Sequence, residues 1–441
     1  AVNGTSSLSE DIATQSKGMI PLLDMILKEI PDPIYDYDAP LQFQPALLDY
    51  NDYVGRIGIG RITRGKMHLN EMVSCVRVDK SIKKFRIQKI YSFLGLKKIE
   101  VEEADAGDIV AIAGLDDIYV GETICKEGLE EALPLIKVSE PTVQMNFGTN
   151  TSPFAGKEGQ FVTGRKIEER LFRETQRDVS LRINRVDNKE EWIVSGRGEL
   201  HLSILIENLR REGFEFQVSR PRVILKEIDG VINEPYEYVQ VDVPDEYIGS
   251  AIEMFGNRRG NLEGMNSKDG QTRLIYTIPS KGLIGFMTDF LTATHGYGII
   301  NHTFLEYRPV QPDVFMGRKL GVLVSINQGM ATTYACGGVE DRGELLIEPG
   351  IMVYEGMIVG ICNREEDLAV NITREKQMTN QRSATKDSTT VLKKPRVFSL
   401  ENYLSFIDED ELVEVTPNSI RLRKMILDTV ERKKYDSTKL K

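Results

Sequence analysis

The chain has 441 residues, 41% hydrophobic and 28% charged, with a net charge of −11. One core rarely serves more than ~250 residues, so several domains are expected. The composition excludes a fibrous or wholly disordered chain, the charge excludes a uniformly basic nucleic-acid coat, and no apolar run nears the ~18 residues of a membrane span. The first residues, Ala1-Val2-Asn3-Gly4, show no signal pattern and no initiator Met. Cys75, Cys125, Cys336 and Cys362 are scattered and form no CxxC pair, which predicts a reduced, cytoplasmic setting without a zinc site. His68, His201, His295 and His302 are equally scattered, and packing or capping roles are expected for His201, His295 and His302.

Residues 1–38 hold one clear element, a helix opened by Pro21 and carrying Leu22, Leu23, Ile26 and Ile30. A lone amphipathic helix cannot bury its own face, so it needs a body to pack on. Residues 39–132 offer only short runs separated by Gly- and Asp-rich turns, the pattern of a closed β-barrel. Then one order, β-α-β-β-α-β, is read twice, over 143–218 and 238–307. That order is the split βαβ, or ferredoxin-like, module. In the first copy helices are predicted over 165–177 (Ile167, Leu171, Phe172) and 199–211 (Leu202, Leu205, Ile206, Leu209). In the second, Asp245 caps a helix with the stripe Ile248, Ile252, Phe255, and Leu283, Phe286, Met287 and Phe290 form one further helix. Strands are expected at 179–183, 192–194, 239–243 and 274–278.

A last region follows Pro309-x-x-Pro312, with strands at 321–326 and 357–361. Within it, 373–390 is the least core-like stretch of the chain, with only Met378 and Ala384 apolar. It carries Arg374, Lys376, Arg382 and Lys386, and Lys393, Lys394 and Arg396 follow. A helix begins near Ser399, then an acidic turn over 408–411. The tail is basic again at Arg421, Arg423, Lys424, Arg432, Lys433 and Lys434.

Gly60-Arg-Ile-Thr-Arg-Gly65-Lys66 nearly matches a phosphate-binding loop. Met67 replaces the hydroxyl that would hold Mg²⁺, and strand pattern surrounds the segment, so the match is discounted. Ser81-Ile-Lys-Lys84 fits S-x-x-K without its companion motifs. No catalytic or metal-ligating constellation emerges. Arg258 and Arg259 end a helix at a turn, where they could reach a phosphate backbone or cap the helix. The basic segment 373–396 reads as a loop that orders on RNA.

Ser195-Gly-Arg-Gly-Glu-Leu-His-Leu202, with Arg210-Arg-Glu-Gly213 and Ser219-Arg-Pro221, resembles domain III of translational GTPases related to elongation factor G. Pro141-Thr-Val-Gln-Met145 and Ser152-Pro-Phe-Ala-Gly-Lys-Glu-Gly159 are similar to the BipA (TypA) branch. Glu234-Pro235, Pro244-Asp-Glu-Tyr-Ile-Gly249 and Asn257-Arg-Arg-Gly260 resemble domain V, and 55–65 resembles the domain II barrel, which accounts for the false phosphate loop. Asp408-Glu-Asp-Glu-Leu-Val-Glu-Val-Thr-Pro417 and Ser419-Ile-Arg-Leu-Arg-Lys424 look like the branch-specific C-terminal domain.

The resemblance implies a multidomain α+β protein: a remnant of the GTPase domain (1–38), a β-barrel (39–132), two ferredoxin-like modules (133–228 and 229–309) and a mostly β C-terminal RNA-binding domain (310–441). Elongation factor G inserts a domain between its two modules, and this chain departs from it there. The GTP-binding motifs are missing from the sequence, and Ala1-Val-Asn-Gly4 resembles the end of the base-contacting motif. GTP and Mg²⁺ would belong to that missing domain of the parent GTPase, so no cofactor and no hydrolysis are expected of this chain. Implied partners are the ribosome, through 23S rRNA near the stalk base, and the acceptor end of A-site tRNA. A monomer is expected, with no membrane partner. The implied role is 50S subunit assembly and adaptation to stress and cold. Lys376, Thr379, Asn380 and Arg382 match the family loop's K-x-x-T-N-x-R pattern, with Lys386, Lys393, Lys394, Arg258 and Arg259 as further RNA contacts; Gln377 stands where some relatives have a second Lys. The alternative from another class is a protein-interaction scaffold with no direct RNA role.

Overall fold

A computed structural model describes residues 5–8, 11–31, 36–136, 138, 140–311, 318–375 and 392–439. The chain divides into two compact units, Ala1–Lys137 and Val138–Lys441.

The first unit opens with a hairpin that the sequence pattern did not signal, β1 (Thr5–Leu8) and β2 (Asp11–Lys17). Helix α1 (Ile20–Glu29) follows, with Pro21 in its first turn, as expected. None of its residues is buried; Leu22, Leu23, Ile26 and Ile30 are all exposed. Strands β3 (Gln42–Asn51), β4 (Gly55–Arg64), β5 (Lys66–His68), β6 (Met72–Val76), β7 (Ile82–Arg86), β8 (Lys89–Leu94), β9 (Lys97–Glu100), β10 (Glu103–Asp105), β11 (Ile109–Ala113) and β12 (Thr123–Lys126) make the expected all-β region. Eight of them form an antiparallel sheet in the order β7-β6-β12-β3-β4-β11-β8-β9, and β5 pairs with β10 apart from it. Among the described residues no pairing joins β7 to β9, so closure of the expected barrel is not part of the ladder. Phe43, Ile62, Met67, Val73, Ile90 and Val110 are buried within this unit. The false phosphate loop is strand β4, a bend at Gly65 and strand β5. Gly65 has φ 75°, and a Cβ there would lie 2.6 Å from the Ala39 carbonyl oxygen. No helix opens after it, so the amide cradle that a phosphate needs is not built.

The second unit begins with the first module: β13 (Val143–Gly148), α2 (Gly164–Thr175), β14 (Arg182–Arg185), β15 (Glu191–Gly196), α3 (Glu199–Arg211) and β16 (Phe216–Ser219). Its sheet runs β14-β15-β13-β16, the split βαβ order. Helix α3 buries Leu202, Leu205, Ile206 and Leu209, the stripe that the sequence spacing predicts. Short strands β17 (Arg222–Val223) and β18 (Lys226–Ile228) lead to the second module: β19 (Val231–Pro244), α4 (Ile248–Asn257), β20 (Asn261–Lys268), β21 (Gln271–Pro279), α5 (Ser280–Leu283), α6 (Phe286–Ala293) and β22 (Ile299–Pro309). Here β20-β21-β19-β22 repeats the same order. The single helix expected around Leu283–Phe290 is two. Ile284 is extended and Gly285 left-handed (φ 69°), which breaks the turn between α5 and α6.

The C-terminal region contributes β23 (Val322–Ser325), β24 (Gly329–Met330), α7 (Thr333–Glu340), β25 (Gly343–Leu345), β26 (Met352–Val353), β27 (Met357–Cys362), β28 (Leu368–Val370), α8 (Leu400–Phe406), β29 (Glu411–Val415), β30 (Ile420–Lys424) and α9 (Thr429–Lys439). It is not a separate layer. Strand β29 pairs with β16 from Phe216↔Val415 to Ser219↔Leu412, so the first module and the C-terminal region share one eleven-stranded sheet. One hydrophobic core runs through both, joining Phe147, Trp192 and Phe216 to Val324, Leu404, Val413 and Leu422. The second module keeps its own core around Phe255, Tyr276, Phe286 and Phe290.

Candidate nucleic-acid interface

Helix α7 holds both feet of the basic segment. Thr332 caps it, its Oγ1 accepting from Ala335 N (3.1 Å), while Ala335, Cys336 and Val339 face the core. The Thr332 amide donates to Ile372 O (3.1 Å), and its hydroxyl donates to Arg374 O (2.5 Å). At the far end Glu340 Oε1 accepts from the Lys393 amide (2.7 Å). Asn371 Oδ1 accepts from Thr373 N and Oγ1 (3.1 Å each), which sets the outgoing turn. The chain therefore leaves one end of α7 at Arg374 and returns to the other at Lys393. Eight residues of helix span about 12 Å.

Lys376, Thr379, Asn380, Arg382 and Lys386 lie outside the described residues. Lys393 and Lys394 are exposed and line a cavity of about 300 Å³ with Glu340, Glu344 and Asn363. Arg396 anchors the returning segment: its amide donates to Leu345 O (3.0 Å), and its guanidinium lies 3.7 Å from Glu344 and over the Phe398 ring. Arg258 and Arg259 sit elsewhere, at the end of α4. The Arg258 guanidinium donates to Gly282 O (3.2 Å), Ile284 O (2.7 Å) and Asp289 (3.1 Å), so it braces the break between α5 and α6. Arg259 adopts φ 63° and donates to Gln311 Oε1 (3.1 Å).

The seam that seats this interface was not anticipated. Glu414, fully buried, accepts from Asn150 (3.0 Å), Ser152 (2.9 Å), Tyr354 (2.7 Å) and Arg421 (3.1 Å). Glu215, also buried, gathers Asn150 Nδ2 (2.8 Å) and the amides of Gly156 (2.7 Å) and Gly159 (2.8 Å). Together they clamp the segment 150–159 of the first module against the C-terminal hairpin. Beside them Glu411 takes both Arg318 nitrogens (2.8 and 3.0 Å) and Lys424 (2.9 Å). Burial pushes the Glu411 carboxyl up, but Arg318 and Lys424 outweigh it and hold it below the usual carboxylate range.

The acidic turn and part of the basic tail are thus two sides of one hairpin, Glu411↔Lys424 and Glu414↔Arg421. Glu411 and Glu414 set among Leu412, Val413 and Val415, answered by Lys424 and Arg421 on the next strand, are the sequence signal that could have exposed it. Arg421, Arg423 and Lys424 are consequently internal: Arg423 bonds Thr151 Oγ1 and Gln217 Oε1 at 2.7 Å each.

The four cysteines are buried and unpaired with one another. His201 Nε2 meets Asp178 (2.6 Å) and its Nδ1 accepts from Arg197 N (3.3 Å), the packing role expected for it. Among the described residues no group of three His, Cys, Asp or Glu could hold a metal ion, and no helix is long and apolar enough to cross a membrane.

The sequence matches four domain families in chain order: elongation factor Tu domain 2 over 55–125, elongation factor G domain III over 162–220, the elongation factor G C-terminus over 231–317, and the TypA/BipA C-terminal domain over 320–429. The large ribosomal subunit assembly factor BipA of Bacillus subtilis is 56% identical over 98% of this chain and 71% of its own length. Its namesakes from Synechocystis and Salmonella typhimurium are 49% and 48% identical, over 94% and 98% of this chain and 70% and 71% of their own lengths. With that identity spread across both units, the chain belongs to the TypA/BipA family.

Proposed function

We propose that this chain is a ribosome-binding body acting in assembly of the large ribosomal subunit, and that the basic segment carried by α7 is its RNA-reading element. The observation that carries the proposal is the anchoring of both feet of that segment, at Thr332 and Glu340, on a helix packed into a buried core. A rigid base with exposed lysines at the return, Lys393 and Lys394, suits recognition of RNA by shape and phosphate charge. Lys376, Thr379, Asn380, Arg382 and Lys386 are the further contacts, directed at 23S rRNA and the acceptor end of A-site tRNA. Arg258 braces a turn, so its role in RNA binding is indirect: it fixes the loop that carries Arg259. No step of GTP binding or hydrolysis, and no role for Mg²⁺, is assigned to the residues described. Cytoplasmic location, a monomeric state and a role in stress and cold adaptation go with this reading.

Chemical footprinting of 23S rRNA on large subunits tests it. With Lys376, Arg382 and Lys386 replaced together by Ala, protection near the tRNA acceptor end should be lost while protection at the stalk base remains. Identical footprints for the variant and the parent chain would reject the assignment. Recovery of partners that is insensitive to ribonuclease would favour the scaffold reading instead.

A further inference from the structure

Where the two modules and α8 meet there is a cleft of about 150 Å³. Its apolar walls are Leu283, Ile284, Phe286, Met287 and Ile300, and its polar groups are Glu199, Glu237, Ser280, Thr288, His302 and Glu401. Ser280 lines it, is 2% exposed, and its Oγ has no hydrogen-bond partner. A buried hydroxyl left unmatched is costly, and such groups in folded proteins call for a specific explanation. Three carboxylates converge on the same space. Glu199, at the start of α3, accepts the Gly285 amide with both oxygens (2.8 and 3.0 Å). Glu237 is 5% exposed and pairs with His302 at the mouth. Glu401 comes from α8. One further cation, Arg258, packs over the outside of the Phe286 ring, 5.3 Å from its centroid, and spends its donors on the Gly282 and Ile284 carbonyls and Asp289.

From the unmatched Ser280 hydroxyl, the apolar walls and the excess of carboxylates over cations, we infer that this cleft binds a small organic ammonium ion with an apolar body. An apolar cavity of this size accommodates a single aromatic ring. The ring or chain would rest on Phe286 and Met287. The ammonium would donate to Ser280 Oγ and to the carboxylate oxygens of Glu199 and Glu401. Burial raises the Glu199 carboxyl to about 7, and Glu237 raises the His302 imidazole above its ordinary value. As pH rises through neutrality, Glu199 therefore gains negative charge and His302 loses positive charge. Both changes favour a cation, so affinity should increase from pH 6 to pH 8. The occupant touches α3, α6 and α8 at once, and so would hold the second module against the shared sheet.

Calorimetric titration of the full chain with phenethylammonium, 2-phenylethanol and phenylacetate tests this. Saturable binding of the ammonium ion is expected, at least tenfold tighter than the alcohol, with none for the carboxylate. Ser280→Ala should weaken it severalfold. Leu200 is 62% exposed at the cleft, so Leu200→Trp should fold normally and block the mouth. Equal binding of alcohol and ammonium, unchanged binding in Leu200→Trp, or no saturable binding of any probe because water alone meets Ser280 would each overturn the inference.

Discussion

The two ferredoxin-like modules share one strand order and differ in what their last strand does. In the first, β16 is four residues long, largely buried, and zipped to β29 of the C-terminal region. In the second, β22 is eleven residues long and mostly exposed, and among the described residues it pairs only with β19. The same topology has become a base shared with the C-terminal region in one copy and a sheet with its own core in the other. The second module lies between the first and the C-terminal region in sequence, yet those two make one sheet and one core. Long-range pairing of this kind carries no local signature; only burial of complementary charge on β29 and β30 betrays it.

This contrast can be broken from either side. The largest effect is expected from Phe255→Ala, which empties the second module's core at the point where Phe255 stacks on Tyr276, with ring centroids 4.3 Å apart. A loss of about 3–5 kcal/mol is typical of such a deletion. Trp192, the chain's one tryptophan, sits in the shared core. Its fluorescence transition in urea should move far less than hydrogen exchange in β19 and β21. Equal shifts would mean that the modules unfold together.

Glu414→Ala should act in the opposite place. It leaves Arg421, Tyr354 and Ser152 without their common acceptor, and removing one member of a buried ion pair costs about 3 kcal/mol or more. Here the Trp192 transition itself should shift to lower urea. If it does not, the seam is not what holds the C-terminal region to the first module.

Gly285→Ala should cost less, about 1–2 kcal/mol for left-handed backbone, plus a clash 2.6 Å from Ser405 Cβ. It should loosen the second module from α8, read as faster amide exchange in α6 with β29 unchanged. A pH dependence is expected as well. Glu199 has a folded value raised above that of the unfolded chain, so its contribution is present in full below about 4.3 and is lost as pH rises through about 7. Raising pH from 5 to 8 should lower stability, and Glu199→Gln should flatten that slope. The raised His302 adds loss of the same sign, so some slope should persist in the variant. An identical slope in both would remove Glu199 from the account.

Much of the architecture was legible in the residues. The stripe from Leu202 to Leu209 and its stop at Gly213 mark a helix through period and capping alone, and the helix occupies that range. The alternation Val239, Val241, Val243 likewise marks a strand. What was not legible depended on tertiary partners. The break at Gly285 needs Glu199 and Arg258 from elsewhere in the chain to stabilise it. Helix α7, only eight residues with Gly337 and Gly338 inside, has weak intrinsic propensity and depends on its cap at Thr332 and on packing. Of the basic residues, Lys393 and Lys394 stand exposed at the loop foot as composition suggested. Arg421, Arg423 and Lys424 looked equally available and are spent internally, Arg421 and Lys424 in ion pairs and Arg423 on Thr151 and Gln217, because charge alone does not say which face of a strand it lies on.

The most direct test of the central claim is binding of this chain to large ribosomal subunits across a salt series. If phosphate contacts by the α7-borne segment dominate, log Kd should rise steeply and linearly with log salt, at roughly 0.7–0.9 per contact. Replacing Lys376, Arg382 and Lys386 together by Ala should then lower that slope by about 2–3. A flat dependence in the parent chain, or an unchanged slope in the variant, would contradict the account.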